Sequence, residues 1–413
     1  MNAAGREAPF DVVIVGGGMV GASLAVMLAP LRLRVALVEA VPHDAGHQPS
    51  FDERTTALSN ASRRVLDTLG LWSGLAAQAT PIKKIHVSDR GRFGFARIDS
   101  QEQGLDAIGY VMPNRVLGSA LWSRIAGEPG LQVFCPARLG EIAIQPERVT
   151  LEVLGDDGAR TSLSTRLIVA ADGAQSAVRK AFGVDADVAD YGQTAVITTV
   201  MPQSFHQYVA YERFTSDGPL ALLPLNDGRC TLVLTLKPER AQHALTWPDH
   251  EFLAEVQARF GFRLGRFLKV GRRVAYPLSL TQSARTSAGR CAIIGNAAQG
   301  LHPVAGMGFN LGLRDAACLA ELLAEAGDDA VTTGGDAALL ARYDEWRAGD
   351  RRGIIEFTDG LVRLFANPLG VVRHVRNAGL LAFDLLPPAK AALSRLSTGT
   401  ARASKLARGV PLT

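Results

Sequence analysis

The stretch FDVVIVGGGMVGASLAVML, residues 10–28, decides the fold. Its first six residues are almost all apolar, which is typical of a strand at the centre of a parallel sheet. Three glycines at Gly-x-Gly-x-x-Gly spacing follow, and the apolar run after them predicts a helix. A second apolar strand, residues 35–38, ends at Glu39. This order of strand, glycine turn, helix and strand predicts a β-α-β unit that binds a dinucleotide.

Each part of this fingerprint has a physical role. Gly16 permits the tight turn, Gly18 lets a pyrophosphate approach the backbone, and Gly21 lets the helix pack on the strand. Glu39 stands where an acid binds ribose hydroxyls. A glycine-rich turn without a nucleotide is the alternative, and the second strand with its terminal acid argues against it. The predicted contacts here are Gly16, Gly18, Met19, Val20, Gly21 and Glu39.

Two later segments repeat the pattern of a strand that runs into a turn and a helix. The run LIVA, residues 167–170, leads to Asp172-Gly173 and a short helix that carries Arg179. The run CAII, residues 291–294, leads to GNAAQGLHPVAGMGFNLGLRD, residues 295–315, where a helix is predicted to begin near Gly308. Glycines and a helix N-terminus let a flat or anionic ligand approach backbone N–H groups. The three turns predict one dinucleotide site built by a discontinuous domain.

The segment 295–315 resembles the second FAD-contacting motif of the single-component flavin-dependent aromatic hydroxylases, in particular their ubiquinone-biosynthesis branch. The run DERTTALS, residues 52–59, fits the Asp-x-Arg-x-x-Ala-Leu segment of that family. The runs HVSDRG (86–91), ERFT (212–215) and GPL (218–220) are similar to its 2-polyprenyl-6-methoxyphenol hydroxylases. The resemblance covers essentially the whole chain.

This resemblance implies the aromatic hydroxylase fold, an α/β architecture. It comprises a Rossmann-like FAD-binding domain, an antiparallel β-sheet substrate domain and C-terminal helices. It also implies an enzyme that adds a ring hydroxyl to a polyprenylated (methoxy)phenol in ubiquinone biosynthesis. FAD, NAD(P)H and O2 are the expected cofactor and co-substrates, with a C4a-hydroperoxyflavin as the oxygen donor.

The family's cofactor residues carry over to matching positions of this chain. Arg54 is expected near the flavin side of the pyrophosphate, the alternative being a surface arginine on a loop. The turn through Pro303, Gly306 and Gly308 is expected to place N–H groups at the pyrimidine edge of the flavin. The full set of expected FAD contacts is Gly16, Gly18, Met19, Val20, Gly21, Glu39, Arg54, Asp172, Gly173, Gly295, Asn296, Pro303, Gly306, Met307, Gly308 and Asn310.

Three residues depart from the family pattern. Asn296 replaces the usual aspartate that binds the ribitol, Met307 replaces a glutamine between the glycines, and Asn114 stands where many relatives carry an FAD-contacting arginine. An amide still hydrogen-bonds ribitol hydroxyls, so we expect FAD binding to survive. Met307 is expected to form part of the wall beside the flavin and either to widen it or to make it more apolar.

A base that deprotonates the phenol would favour hydroxylation. His302 is the candidate by motif, with a loop-capping histidine as the alternative, and Tyr211 and Arg213 are further candidates. The isolated tryptophans at 72, 122, 247 and 346 argue against a flavin halogenase. A non-oxygenating FAD reductase, a redox scaffold, or a hydroxylase of another phenol or ring position remain alternatives. No metal site is expected.

Length and composition allow a large core in two or three lobes, since 47% of 413 residues are hydrophobic. We predict a discontinuous FAD-binding domain over residues 8–80, 100–190 and 275–330 and a β-sheet substrate domain over 81–99 and 191–274. A C-terminal helical region over 331–396 and a flexible tail over 397–413 complete the prediction. Four cysteines without metal or redox spacing are expected to be reduced and mostly buried.

The net charge of +4 hides a basic C-terminal region. Residues 361–413 hold eight Lys/Arg against one acid, and interleaved apolar residues favour anionic lipid over nucleic acid as a partner. We therefore expect no nucleic-acid binding, and either a peripheral membrane contact, a partner of a ubiquinone-biosynthesis complex, or ordinary helix packing. No signal peptide or spanning segment is recognised, which predicts a cytoplasmic protein, with peripheral attachment to the inner membrane as the alternative.

Overall fold

The structure is a computed structural model, and it describes residues 9–46, 48–52, 54–92, 94–327, 335–366, 378–380, 382, 384, 386 and 403–413. The strands are β1 (Phe10–Val15), β2 (Val35–Val38), β3 (Thr55–Ser59), β4 (Thr80–Ile82), β5 (Lys84–Asp89), β6 (Phe95–Asp99), β7 (Gly109–Pro113), β8 (Leu131–Phe134), β9 (Ala137–Ile144), β10 (Val149–Gly155), β11 (Arg160–Ala170), β12 (Ala186–Pro202), β13 (Val209–Thr215), β14 (Gly218–Pro224), β15 (Cys230–Leu236), β16 (Phe267–Val270), β17 (Val274–Ser283), β18 (Ser287–Ala288), β19 (Cys291–Ile293) and β20 (Gln299–Gly300). The helices are α1 (Met19–Leu28), α2 (Asn60–Thr68), α3 (Trp72–Leu75), α4 (Asn114–Ala126), α5 (Ala177–Ala181), α6 (Pro238–Thr246), α7 (Asp249–Phe260), α8 (Met307–Ala326) and α9 (Ala337–Ala366).

The first sheet confirms the predicted parallel β-α-β unit. Strands β19, β11, β1, β2 and β8 lie side by side and run parallel. All six residues of β1 are buried, as expected of an apolar strand at the centre of a parallel sheet. Strands β9 and β10 extend β11 as an antiparallel meander, and β18 pairs antiparallel with β19.

The three predicted ligand turns come together because their strands are neighbours. Strands β11, β1 and β19 end at Ala170, Val15 and Ile293, and all three point the same way. Their following turns therefore share the carboxyl edge of the sheet, where open α/β sheets bind ligands.

The second sheet has nine strands and confirms the predicted antiparallel substrate lobe. Its order is β20-β17-β12-β15-β14-β13-β5-β6, with β16 beside β12. Neighbours are antiparallel except β5 and β13, which run parallel. The predicted turn between β14 and β15 is present, with Gly228 at φ +82°. One face of this sheet packs against α6 and α7 through buried residues that include Phe252 and Val256.

Two predicted boundaries of the substrate domain shift. Strand β17 pairs along β12 from Val274↔Ile197 to Ser283↔Ala186, so the second sheet continues past the predicted end at residue 274. Strand β4 joins β3 and β7 in a separate three-stranded sheet, while β5 and β6 join the substrate sheet as expected.

The C-terminal part is more integrated than predicted. Helix α9 matches the predicted helical region, and residues 328–334 and most of 367–402 lie outside the described residues. The prediction of a flexible tail is wrong for residues 403–413, because Leu406 is only 2% exposed and belongs to the main core. The Thr68 hydroxyl donates a hydrogen bond to the Leu406 carbonyl at 3.2 Å, and the Lys405 N–H donates to Glu321 at 2.6 Å.

Within the residues that the structure describes, no helix combines the length and the apolar character needed to span a bilayer. The four cysteines are free, and three of them are buried, with Cys135 partly exposed. The burial of the cysteines agrees with the expectation above.

Candidate active site

The turn between β1 and α1 leaves room for a ligand only because it is made of glycine. Gly16 has φ +103°, and a Cβ there would come within 2.6 Å of the Ala171 carbonyl carbon. A Cβ on Gly21 would overlap the Gly16 carbonyl oxygen, and one on Gly18 would lie 2.8 Å from Ser50 Oγ. Helix α1 begins after Gly18 with no side-chain cap and no acid in its first turn. Its free N–H groups therefore suit a pyrophosphate.

Glu39 follows β2 and lines the same cleft. One carboxylate oxygen accepts a hydrogen bond from the Gly17 N–H at 2.5 Å, and the other accepts from the Val41 N–H at 2.8 Å. The Trp122 indole donates to the Gly17 carbonyl at 3.2 Å. Each oxygen of Glu39 keeps acceptor capacity for a ribose hydroxyl.

The Asp172 carboxylate is occupied by its own turn. It accepts hydrogen bonds from the Ala177 N–H at 2.7 Å, the Val178 N–H at 3.2 Å and the Ser176 hydroxyl. Asp172 therefore caps α5, and Gly173 beside it, at φ +85°, lines the cleft.

Arg179 joins two of the ligand turns. Its guanidinium donates to the Ala297 carbonyl at 2.7 Å and to the Ala174 carbonyl at 2.9 Å. The side chain is 4% exposed. Arg179 therefore fixes the spacing between the turn after β11 and the loop after β19.

A buried network that sequence analysis missed holds the loop 295–300 from below. Asp315, fully buried on α8, accepts hydrogen bonds from the Gly295 N–H at 3.2 Å and the Gln299 amide at 2.6 Å. Arg347 on α9 pairs with Asp315 at 2.8 Å. Arg351, one turn further along, donates to the side-chain oxygen Oε1 of Gln299 at 2.6 Å and to the backbone carbonyl of Ala298 at 3.2 Å.

Asn310 holds the start of α8 against the end of β3. Its amide donates to the Ala57 carbonyl at 2.7 Å and the Gly306 carbonyl at 2.8 Å. Its oxygen accepts from the Ser59 N–H at 2.8 Å and the Ser62 hydroxyl at 2.7 Å. Because these four hydrogen bonds use the whole amide, Asn310 positions the loop instead of offering its side chain to FAD.

The three departures from the family pattern have different surroundings. Asn296 is exposed, lines the cleft and makes no side-chain hydrogen bond to a described residue, so its amide is available to a ligand. The Met307 side chain is 2% exposed and packs in a core cluster with Ile354. The expectation that it forms the wall beside the flavin is therefore wrong. Asn114 lines the cleft and accepts a hydrogen bond from Thr56 at 2.7 Å.

Arg54 lines the cleft and is held on three sides. Its Nε pairs with Asp52 at 2.7 Å, and its Nη2 donates to the Pro49 carbonyl at 2.5 Å. The guanidinium lies 4.4 Å from the centre of the Tyr276 ring, whose hydroxyl donates to Asp52 at 2.9 Å. The side chain is thus fixed at the cleft, with Nη1 free of described partners.

His302 is buried and does not suit the role of a base. Its Nδ1 accepts a hydrogen bond from the Val304 N–H at 3.2 Å, and its ring meets the Tyr191 ring edge to face at 5.1 Å. In the neutral ring the proton must then sit on Nε2. Burial lowers the pKa of His302 to about 4. The structure therefore favours the loop-capping alternative over proton abstraction.

The other two proposed bases direct their side chains to the opposite face of the substrate sheet, although Tyr211 also borders the cleft. Tyr211 packs in the core under α6 and α7 and meets the Phe260 ring edge to face. Arg213, two residues along β13, lies on that same face. Between them Glu212 faces the cleft, a placement that alternation along the strand could have predicted.

These turns and the substrate sheet enclose a cleft of about 1020 Å³. That is the upper end of the range of ligand pockets, about 300–1,000 Å³. Gly21, Gly295, Met307 and Asn310 do not line it. The expected cofactor residues that line it are Gly16, Gly18, Met19, Val20, Glu39, Arg54, Asp172, Gly173, Asn296, Pro303, Gly306 and Gly308.

Comparison with known proteins decides what this cleft holds. Residues 9–358 match the family model described as an FAD binding domain. The chain belongs to this family. The uncapped start of α1, the glycine turn and the open carboxylate of Glu39 fit FAD, so the predicted cofactor is confirmed. Which of the lining residues contact FAD stays a prediction.

Proteins that match nearly the whole chain are named as hydroxylases or monooxygenases. The chain is 37% identical to the ubiquinone hydroxylase UbiL of Rhodospirillum rubrum, covering 97% of this chain and 93% of that protein. It is 31% identical to the 3-demethoxyubiquinol 3-hydroxylase of Escherichia coli, covering 91% and 95%. The crystal structure of p-nitrophenol 4-monooxygenase PnpA from Pseudomonas putida superposes with a TM-score of 0.77 at 22% identity, covering 94% and 97%. The protein is an FAD-dependent hydroxylase with the aromatic hydroxylase fold.

Proposed function

We propose that the protein hydroxylates the ring of a polyprenylated phenol in ubiquinone biosynthesis, with NAD(P)H and O2 as co-substrates. The observation that carries this proposal is the likeness over nearly the whole chain to relatives named ubiquinone hydroxylase UbiL and 3-demethoxyubiquinol 3-hydroxylase. An apolar wall on the substrate sheet supports it. That wall includes Ala195, Ile197, Leu223 and Val233.

Different residues of the chain would have different roles in this reaction. Bound FAD supplies the redox chemistry that activates dioxygen. The α1 N-terminus and Glu39 would hold its pyrophosphate and ribose, while Asn296 and the turn from Pro303 to Gly308 would hold the flavin end. The apolar sheet would exclude water and orient the aromatic ring against the flavin.

Gene deletion followed by mass spectrometry of quinone intermediates tests the proposal. We expect a polyprenyl phenol to accumulate, and wild type but not the Gly16→Val, Gly18→Val double variant to restore ubiquinone. Normal ubiquinone without an accumulating phenol, in a strain with no second hydroxylase, would refute it.

Incubation of the purified protein with NAD(P)H and 18O2 then separates the alternatives. Label in another phenol would indicate a different hydroxylase, and NAD(P)H oxidation without label in product would indicate a reductase.

We further propose that the basic region from 357 to 396 holds the protein on the inner membrane, where a polyprenyl substrate resides. Each Lys or Arg near anionic lipid contributes about 1 kcal/mol, so a few suffice for reversible attachment. Most of this region lies outside the described residues. Co-sedimentation with anionic vesicles should fall when these basic residues are changed to glutamine, and unchanged binding would refute the proposal.

A further inference from the structure

Glu212 is placed at the cleft by the alternation of β13. Ala210 and Glu212 line the cleft; Tyr211 between them also borders it, but its ring packs in the core on the other face against Phe260. Successive side chains of a strand point to opposite faces, so this assignment is consistent along the strand. Glu212 contributes the only carboxylate among the described residues of the second sheet that line the cleft.

The surroundings of this carboxyl are apolar. Across the sheet, Glu212 is level with Val87 on β5 and Ala221 on β14, and Ala221 is level with Val233 on β15. Val233 is in turn level with Ile197 on β12. No hydrogen bond or ion pair joins Glu212 to a described residue. A polar group in such a wall is costly unless a ligand supplies its partner.

We propose that Glu212 binds the hydroxyl group of an aromatic substrate and removes its proton, an inference that rests on the proposed function. The phenol O–H bond breaks, the proton passes to a Glu212 carboxylate oxygen, and the electron pair stays on the phenolate oxygen. The ring becomes more electron-rich and more reactive towards an electrophilic oxygen. The proton leaves to solvent through the open cleft after the product departs.

The acidity of Glu212 suits this step. Desolvation raises the pKa of Glu212 to about 8. That brings the pKa of Glu212 nearer to the pKa of a phenol, about 10. Proton transfer from the phenol is therefore less unfavourable than it would be to an ordinary glutamate. His302, with its low pKa and occupied Nδ1, cannot retain a phenol proton at neutral pH.

Substrate ionisation on the FAD-bound protein provides a direct test. The probe is 2-methoxyphenol with 13C at the carbon that bears the hydroxyl, because the NMR shift of that carbon reports ionisation. Because an ionised carboxylate disfavours a second negative charge beside it, we expect the bound probe to ionise fully only at higher pH than the free phenol on wild type. Glu212→Gln should bind the probe without this shift, and Glu212→Ala should bind it about ten- to a hundredfold more weakly. Binding of 1,2-dimethoxybenzene, which lacks the hydroxyl, should be equal in all variants.

The matched control is Asp187→Asn, which removes an exposed carboxylate of β12, outside the cleft. It should behave as wild type. The proposal is overturned if the bound phenol ionises at its free pKa, if Glu212→Gln ionises it as wild type does, or if wild type binds both probes equally. Failure of the proposed function would appear differently, as absence of any hydroxylated polyprenyl phenol with wild type.

A second readout needs no substrate. A folded-state pKa of about 8 against an unfolded value of 4.5 means that the folded protein binds more protons between these values, so stability should fall as pH rises through this window. The Glu212→Gln variant should lack this part of the slope in a thermal melt series, and a slope equal to wild type would contradict the titration. Other titratable groups that line the cleft are Glu39, Arg54, Arg138, Asp172, Tyr211, Tyr276 and His302, and they are the same in both proteins.

Discussion

Removing the carboxylate of Asp315 should destabilise the protein and loosen FAD together. In Asp315→Ala the Gly295 N–H, the Gln299 amide and the Arg347 Nε lose their acceptor, while Arg347 keeps its pair with Asp350 at 2.6 Å. Both members of the Asp315–Arg347 pair are at most 3% exposed, and removing one partner of a buried pair costs about 3–5 kcal/mol. With about 2.1 cal/mol/K of unfolding entropy per residue, 413 residues give about 0.9 kcal/mol/K, so Tm should drop by about 3–6 °C.

The assay is a thermal melt of the FAD-bound protein with flavin released on unfolding measured by fluorescence. The matched control is Glu325→Ala, which breaks an exposed pair with Arg342 at 2.7 Å and should cost about 0–1 kcal/mol, or about 1 °C at most. FAD occupancy after gel filtration should fall in Asp315→Ala and not in the control. A Tm for Asp315→Ala within 1 °C of wild type would refute the argument that this network supports the flavin loop.

Three further outcomes follow from the structure. Gly16→Ala should lose FAD, because residue 16 has φ +103° and the added Cβ would overlap the turn after β11. The control Gly74→Ala adds a Cβ in open space and should retain FAD. Equal flavin content in the two variants would contradict this. Leu406→Ala should cost about 2–5 kcal/mol in urea unfolding, and no loss would mean that the tail is not part of the core. Because burial lowers the pKa of His302 to about 4 from 6.5, the unfolded state binds more protons between these values and stability should fall as pH drops through them. A His302→Asn variant should melt with a shallower pH dependence, and an unchanged dependence would argue against a buried neutral ring.

The sequence predicted the parts of the site that depend on short-range patterns. The turns after β1, β11 and β19 were found because glycine spacing, a flanking apolar strand and a helix lie within a few residues of one another. The burial of Met307 was missed, because a residue between two ligand glycines gives no sign of which way its side chain points.

The features of the fold and the site that the sequence did not predict depend on contacts between residues far apart in the chain. Arg347 lies 32 residues from Asp315 in the chain, and no local pattern pairs them. Leu406 occupies the core, although its neighbours in the chain are small or polar. The apolar segment around it is too short to show a periodicity that would predict burial. Alternation along β13 could have predicted that Glu212 faces the cleft, whereas His302 was the candidate base by motif and Tyr211 and Arg213 were further candidates by residue type.

The arginines of α9 set the order in which the protein can become functional during synthesis. Every glycine turn is synthesised before residues 347 and 351, yet the loop 295–300 lacks the support of both arginines until then. A nascent chain or a truncation ending before residue 337 would carry every recognisable flavin motif and Asp315, but it would lack Arg347 and Arg351. Tight cofactor capture is therefore expected to be a late event, which the last sixth of the chain controls from outside the motifs that identify the family.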